Sequence, residues 1–226
     1  MKQRLMTLSL AAALAAGAGW WFVPSNSTPT FAGQAMSLPG AANAQESSAE
    51  ATEIQDMVLG SADAPVEVIE YASYTCPHCA TFHNGVLQDL KADYIDTGKV
   101  RFVYREVYFD RYGLWGSMIA RCGGEDRFFG VTDILYDQQS TWSRAGSEAA
   151  IADELRKIGR IAGFENEELE ACLSDSAKAK SLIEWYQANA EEHGIDSTPS
   201  FVIDGTTYSN MSYSDFREIL DDKLGS

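Results

Sequence analysis

From Pro65 to Tyr71 apolar and polar positions alternate in a Val- and Ile-rich run, the period-two pattern of a strand. Downstream the period changes. Phe82, Val86, Leu87, Leu90 and Tyr94 recur at helical spacing, and Thr97-Gly98 closes that helix. Val100 to Val107 is a second strong strand. Strand, helix and strand in this order predict a right-handed crossover with two parallel strands. A shorter run, Ile54 to Gly60, is a candidate first strand, joined to the second by the turn residues Gly60 to Pro65.

From Arg111 to about His193 every periodic signal is helical. Leu114, Met118, Ile119 and Cys122 form one face, ended by Gly123-Gly124, and Phe128, Phe129, Ile134, Leu135 and Tyr136 form the next. Ile151, Leu155, Ile158 and Ile161 mark a third, ended by Gly163. Leu169 and Cys172 belong to a short helix, Leu182, Trp185 and Tyr186 to a long one. Strand patterns return at Ser200 to Ile203 and Thr206 to Tyr208, with Asp204-Gly205 between them as a hairpin turn. A last helix follows, with Ser212 as its N-cap and Phe216, Ile219 and Leu220 facing the core. The fold expected is α/β, with an all-helical insertion between strands.

The N-terminus is organised differently. Lys2 and Arg4 precede an apolar run from Leu5 to Val23, closed by Pro24, so residues 1–23 read as a signal peptide or a signal anchor. The best small-residue cleavage site, Ala42-Asn43-Ala44, lies some twenty residues beyond the run. Residues 24–53 are rich in Ser, Ala, Gly, Pro and Thr and read as a flexible tether. Either fate of the leader delivers the domain outside the cytoplasm, where disulfides persist. The 226-residue chain is 45% hydrophobic and 11% aromatic, which fits a packed core; its formal charge of −16 excludes nucleic acid as a partner.

The chemistry concentrates in Cys76-Pro77-His78-Cys79, between the second strand and the helix. That context puts Cys76 at a helix N-terminus, where unpaired N–H groups and the helix dipole favour a thiolate. Pro77 suits the first helical turn. His78 adds a positive charge or a ring N–H beside the sulfur, and Cys79 lies one turn on, within reach of a disulfide. A dithiol with one stabilised thiolate is an electron acceptor when oxidised, so thiol–disulfide exchange is the chemistry suggested. The competing reading is half of a zinc site, but Cys122 and Cys172 stand too far off to complete it. His83 and His193 read as surface or structural residues, and Trp115, Trp142 and Trp185 as packing for the helical block. Tyr74, Phe109 and Tyr112 are candidates for an apolar surface near the cysteines.

The whole order of strand, C-x-x-C helix, strand, helical insertion, Thr198-Pro199, hairpin and final helix resembles the DsbA family of thioredoxin-fold oxidoreductases, over about residues 54 to 224. The resemblance implies a thioredoxin-like domain made of residues 54–110 and 194–226 and an inserted helical domain of 111–193. It maps Thr198-Pro199 onto a cis-proline loop that lies against the cysteines and pairs with substrate; an ordinary trans-proline opening a strand is the alternative. It maps Glu70 onto a buried acid that moves protons to and from Cys79, the alternatives being a solvent-facing acid or a structural pair with Arg105. Two features depart from the best-known enterobacterial members: Thr198 replaces a branched apolar residue, and Cys122 and Cys172 are additional. With Cys76 and Cys79 paired by spacing, the other two are left for a structural disulfide, against the alternative of two buried thiols.

The function expected is that of a periplasmic thiol:disulfide oxidoreductase, a monomer needing no metal and no cofactor beyond the Cys76–Cys79 disulfide. Its partners would be unfolded or partly folded exported proteins and a membrane protein that reoxidises it. A disulfide isomerase or reductase on the same fold is the alternative, and a non-enzymatic metal- or peptide-binding module a third reading.

Overall fold

The computed structural model describes residues 53–225. The leader and nearly all of the tether lie outside the described residues. The chain runs β1 (Met57–Leu59), β2 (Val66–Ala72), α1 (Pro77–Asn84), α2 (Val86–Leu90) with a wide π turn over Lys91–Ile95, and β3 (Val100–Glu106). There follow α3 (Arg111–Ala120), α4 (Glu125–Asp137), α5 (Gln139–Trp142), α6 (Glu148–Ile161), α7 (Asn166–Ser174) and α8 (Ser176–Glu192). The chain returns through β4 (Ser200–Ile203) and β5 (Thr206–Ser209) to α9 (Tyr213–Leu224).

One mixed sheet has the order β1-β3-β2-β4-β5; β2 and β3 are parallel and every other pair antiparallel. The central strand is buried on both faces, and alternation sorts its side chains into two layers. Val66, Val68, Ala72, Phe102, Tyr104, Phe201 and Ile203 join the main core, which continues through Phe82 into Ile119, Phe128, Leu135, Trp142 and Leu155 of the helical block. Ile69, Tyr71, Val103 and Val202 line the other face, under Tyr186 and Ile195.

Local chemistry sets the boundaries. Asp110 accepts from the N–H groups of Tyr112 and Gly113 to open α3, and Ser212 forms a capping box with Asp215 to open α9. Asp204 and Gly205 both take positive φ, 45° and 80°, the requirement of a two-residue hairpin, and the Asp204 carboxylate accepts from the Glu67 N–H at 3.0 Å. The helix predicted from Cys79 to Thr97 is broken. Gly85 interrupts it, and the Lys91–Ile95 turn widens it, while Phe82, Leu87, Leu90 and Tyr94 still reach the core.

Ile161 corrects the sequence reading. It is exposed, because α6 ends there and Gly163 turns the chain back at φ 85°. Phe164, whose N–H bonds to the Gly159 carbonyl, seals that end of the core in its place.

Two links tie the helical block together and to the sheet. Arg121, at the end of α3, donates from Nε and Nη2 to the two carboxylate oxygens of Glu106 at 2.6 Å, both residues being buried. Ser117 donates to the same carboxylate at 2.8 Å and Arg121 also reaches the Gln55 carbonyl, so the buried charge has a full set of donors. Cys122 and Cys172 form a disulfide with Cα atoms 5.8 Å apart, closing a separation of 50 residues. Cross-linking at that separation is worth about 4 kcal/mol by the chain-entropy estimate. The double Cys122→Ala/Cys172→Ala variant is expected to lose about 2–4 kcal/mol in denaturant unfolding, with a raised m-value because the uncrosslinked unfolded chain exposes more surface. A loss below about 1 kcal/mol would show that the helical block does not need the bridge.

Candidate active site

The strand β2 ends at Ala72, and a tight turn over residues 73–75 delivers Cys76 to the N-cap of α1. The Cys76 N–H bonds to the Ser73 carbonyl at 3.0 Å, and Thr75 donates its hydroxyl to Asp110 at 2.7 Å. Cys76 is extended (φ −82°, ψ 118°), and Pro77 occupies the first helical turn, where its missing N–H leaves no bond unmade. Among the described residues no side chain caps this helix. Its first N–H groups are left for the sulfur itself.

Cys76 and Cys79 are both thiols, the first half-buried and the second sealed from solvent. Their environments pull in opposite directions. A hydrogen bond from the Cys79 thiol, with further help from Thr198 and the backbone N–H groups of Cys79 and His78, lowers the Cys76 pKa to about 5 against the opposing effect of burial. Burial pushes the Cys79 thiol far up, and the Cys76 hydrogen bond and the charges of Glu70 and Cys76 push the same way. His78 is exposed, and what it brings to the sulfur is its backbone N–H.

Thr198 and Pro199 stand over the sulfur, with the peptide between them cis. The Cys76 thiol donates to the Thr198 carbonyl at 3.4 Å. The Thr198 hydroxyl is buried and, among the described residues, otherwise without a partner, so it is the donor available once the sulfur is ionised.

Glu70 lies in β2, six residues before Cys76, with 0% of its surface exposed. Among the described residues neither carboxyl oxygen has a hydrogen-bond partner. Burial, then the Cys76 charge, raises its pKa well above the usual carboxylate range, which favours the neutral acid. The pairing with Arg105 is not formed. In the parallel register Glu70 sits opposite Tyr104, and Arg105 opposite Tyr71, which puts acid and guanidinium on opposite faces of the sheet. Arg105 instead forks onto Asp56 at 2.8 and 2.9 Å and donates to the Tyr71 hydroxyl.

Sequence reasoning missed the part played by the helical block. Gln139, buried at the start of α5, donates to the carbonyls of Tyr74 and Cys76 at 2.9 and 2.8 Å, clamping the turn that carries the nucleophile candidate. Its only sequence signal is polarity at a buried helix position. Tyr74 is not a surface residue. It is buried against Tyr104 and Tyr136 and bonds to Thr132 at 2.8 Å, while Phe109 is 59% exposed. Among the described residues no cluster of three or more His, Cys, Asp or Glu is arranged to hold a metal, and no helix is long and apolar enough to cross a membrane.

The thioredoxin family profile matches residues 52–222. A Rickettsia bellii protein assigned provisionally as a protein-disulfide oxidoreductase is 36% identical over 167 residues, 74% of this chain, which spans 63% of that relative's length. Disulfide bond formation protein D of Bacillus subtilis is 27% identical, over 74% of this chain and 76% of its own. The crystal structure of Wolbachia pipientis alpha-DsbA1 superposes with a TM-score of 0.69 at 24% identity, covering 77% of this chain and 93% of its own. The chain belongs to the thioredoxin family and has the DsbA-type fold, a thioredoxin sheet interrupted by a helical insertion.

Proposed function

We propose that this protein is a thiol:disulfide oxidoreductase that donates a Cys76–Cys79 disulfide to exported proteins outside the cytoplasm and is reoxidised by a membrane partner. The observation that carries the reading is the asymmetry of the two sulfurs. One is half-exposed at an open helix N-terminus and favoured as a thiolate; the other is buried and favoured as a thiol. Stabilising the reduced pair makes its disulfide a strong electron acceptor. The names of the relatives, which refer to disulfide exchange and disulfide formation, support the same reading.

The chemistry follows from access. A client thiolate attacks the exposed Cys76 sulfur of the disulfide; a new S–S bond forms there, the Cys76–Cys79 bond breaks, and Cys79 leaves with the electron pair. A bare thiolate at the buried Cys79 is costly, and Glu70, kept neutral by burial, supplies the proton. A second client thiolate then attacks the client sulfur of the mixed disulfide. The client leaves oxidised, and Cys76 departs as the thiolate that the helix N-terminus favours. Thr198 and Pro199, beside the sulfur, bound the place where an extended client would lie.

Oxidised protein mixed with a reduced, unfolded disulfide-containing client is expected to transfer one disulfide per chain. Cys76→Ser should abolish the transfer. A native chain that leaves the client reduced would contradict the reading.

Glu70 gives a second expectation, whose sign comes from its raised pKa. An acid held above its unfolded value costs stability once pH rises past that value, roughly 4.3, because only the unfolded chain then releases the proton. Glu70→Gln should therefore melt above the native protein at pH 7, with the gap closing below about pH 4. The same variant should react with client thiols about a hundredfold to ten-thousandfold more slowly, the range of one positioned proton transfer. Equal melting temperatures at pH 7 would mean that the carboxyl is ionised and solvated.

A further inference from the structure

His83 lies on α1, one turn beyond Cys79, on the same face of the helix. It is only 2% exposed. Its Nε2 is 2.7 Å from a carboxylate oxygen of Asp133 in α4, and Asp133 is 59% exposed. A carboxylate only accepts, so in the neutral form of the ring the proton sits on Nε2 and Nδ1 carries a lone pair. That Nδ1 is buried and has no partner among the described residues. The ring therefore reaches from the water at Asp133 to an unmatched proton acceptor inside.

The surroundings of His83 say what that acceptor faces. The Tyr136 ring packs on the imidazole with centroids 4.7 Å apart, and the Tyr136 hydroxyl lies 2.6 Å from that of Tyr104. Tyr104 is the register neighbour of Glu70 in the adjacent strand. His83 thus touches Asp133 and Tyr136 on α4 and shares its helix face with Cys79, and the contacts run on from Tyr136 to Tyr104 and from there to the strand position of Glu70. Among the described residues, Glu70 and His83 Nδ1 are the two buried, unpartnered proton-exchanging groups in this part of the core. Neither tyrosine is suited to pass charge as a phenolate, since burial raises both.

We propose that His83, oriented by Asp133, is a positioning residue that carries protons between the buried Glu70–Cys79 site and solvent. This rests on Cys76 and Cys79 being the exchanging pair. The step it serves is reoxidation. The Cys76 thiolate attacks an incoming disulfide, forming Cys76–S–S–R and releasing RS⁻. The loss of the Cys76 charge removes one cause that held Glu70 protonated. Glu70 then yields its proton to His83 Nδ1, while the Nε2 proton passes to Asp133 and on to bulk water. The freed carboxylate takes the proton of Cys79, whose sulfur attacks Cys76; the Cys76–Cys79 bond forms and the second RS⁻ leaves. One proton has moved from Cys79 to solvent, and two electrons from the dithiol to the disulfide.

The dithiol protein, mixed rapidly with excess oxidised glutathione and quenched with acid, resolves attack and closure by mass. His83→Gln and Asp133→Asn are each expected to leave the attack rate within twofold of native. Both should slow closure about tenfold or more and increase its solvent deuterium isotope effect. Nitrogen NMR of the native dithiol protein should show His83 protonated at Nε2 and bare at Nδ1. Closure within twofold of native in both variants, slowed closure with an unchanged isotope effect, or a proton on Nδ1 each overturns the proposal. A native chain that forms the mixed disulfide but never closes overturns instead the reading of the cysteine pair.

Discussion

The negative charge on one sulfur, held at the open end of a helix, is the interaction on which the rest of the site depends. The Cys76 thiolate takes hydrogen bonds from the Cys79 thiol and from backbone N–H groups of the first turn of α1. The charge acts inward as well, raising both Cys79 and Glu70. When it is removed by bond formation, both buried groups become easier to ionise. In the proposed exchange, attack at Cys76 thus prepares the second sulfur.

The helical block is part of this site. Gln139 of α5 clamps the turn that presents Cys76, and Tyr136 of α4 packs on His83. Asp133, two turns before Gln139 and on a different helix, connects the buried imidazole to water. Such placement demands a rigid seat, since the side chains that hold the Cys76 turn and the buried imidazole must not drift. The Arg121–Glu106 pair fixes α3 to the sheet, and the Cys122–Cys172 bridge fixes α7 to the end of α3. Removing one partner of the buried pair would leave a charge without compensation, a loss of about 3–5 kcal/mol.

The β2–α1–β3 crossover and the place of Cys76 could be read from the sequence because each has a local cause. Period-two runs give way to period 3.6, Pro77 marks the first turn, and Asp204-Gly205 marks the hairpin. The burial of Glu70 could be read only as parity in an alternating strand. Its supposed partner could not, because the register that sets Glu70 opposite Tyr104 is a property of two strands together. Gln139 and the His83–Asp133 contact were hidden for a similar reason: partners 50 or more residues apart leave no spacing pattern. The break at Gly85 and the exposure of Ile161 were lost because apolar periodicity continues across a kink and past a helix end.

The central claim is that this fold favours the dithiol over the disulfide, and it is a claim about relative stability. The most direct measurement is denaturant unfolding of the reduced and oxidised protein side by side, from pH 4 to pH 8. Cys76 ionises near pH 5 in the folded dithiol but only near 8.5 in the unfolded chain, so its contribution is present at high pH and fades as pH falls through 5. The account predicts that the dithiol form is the more stable at pH 7 to 8 and that its advantage shrinks steadily toward pH 5. A disulfide form that is the more stable across the whole range, or a difference that does not vary with pH, would contradict it.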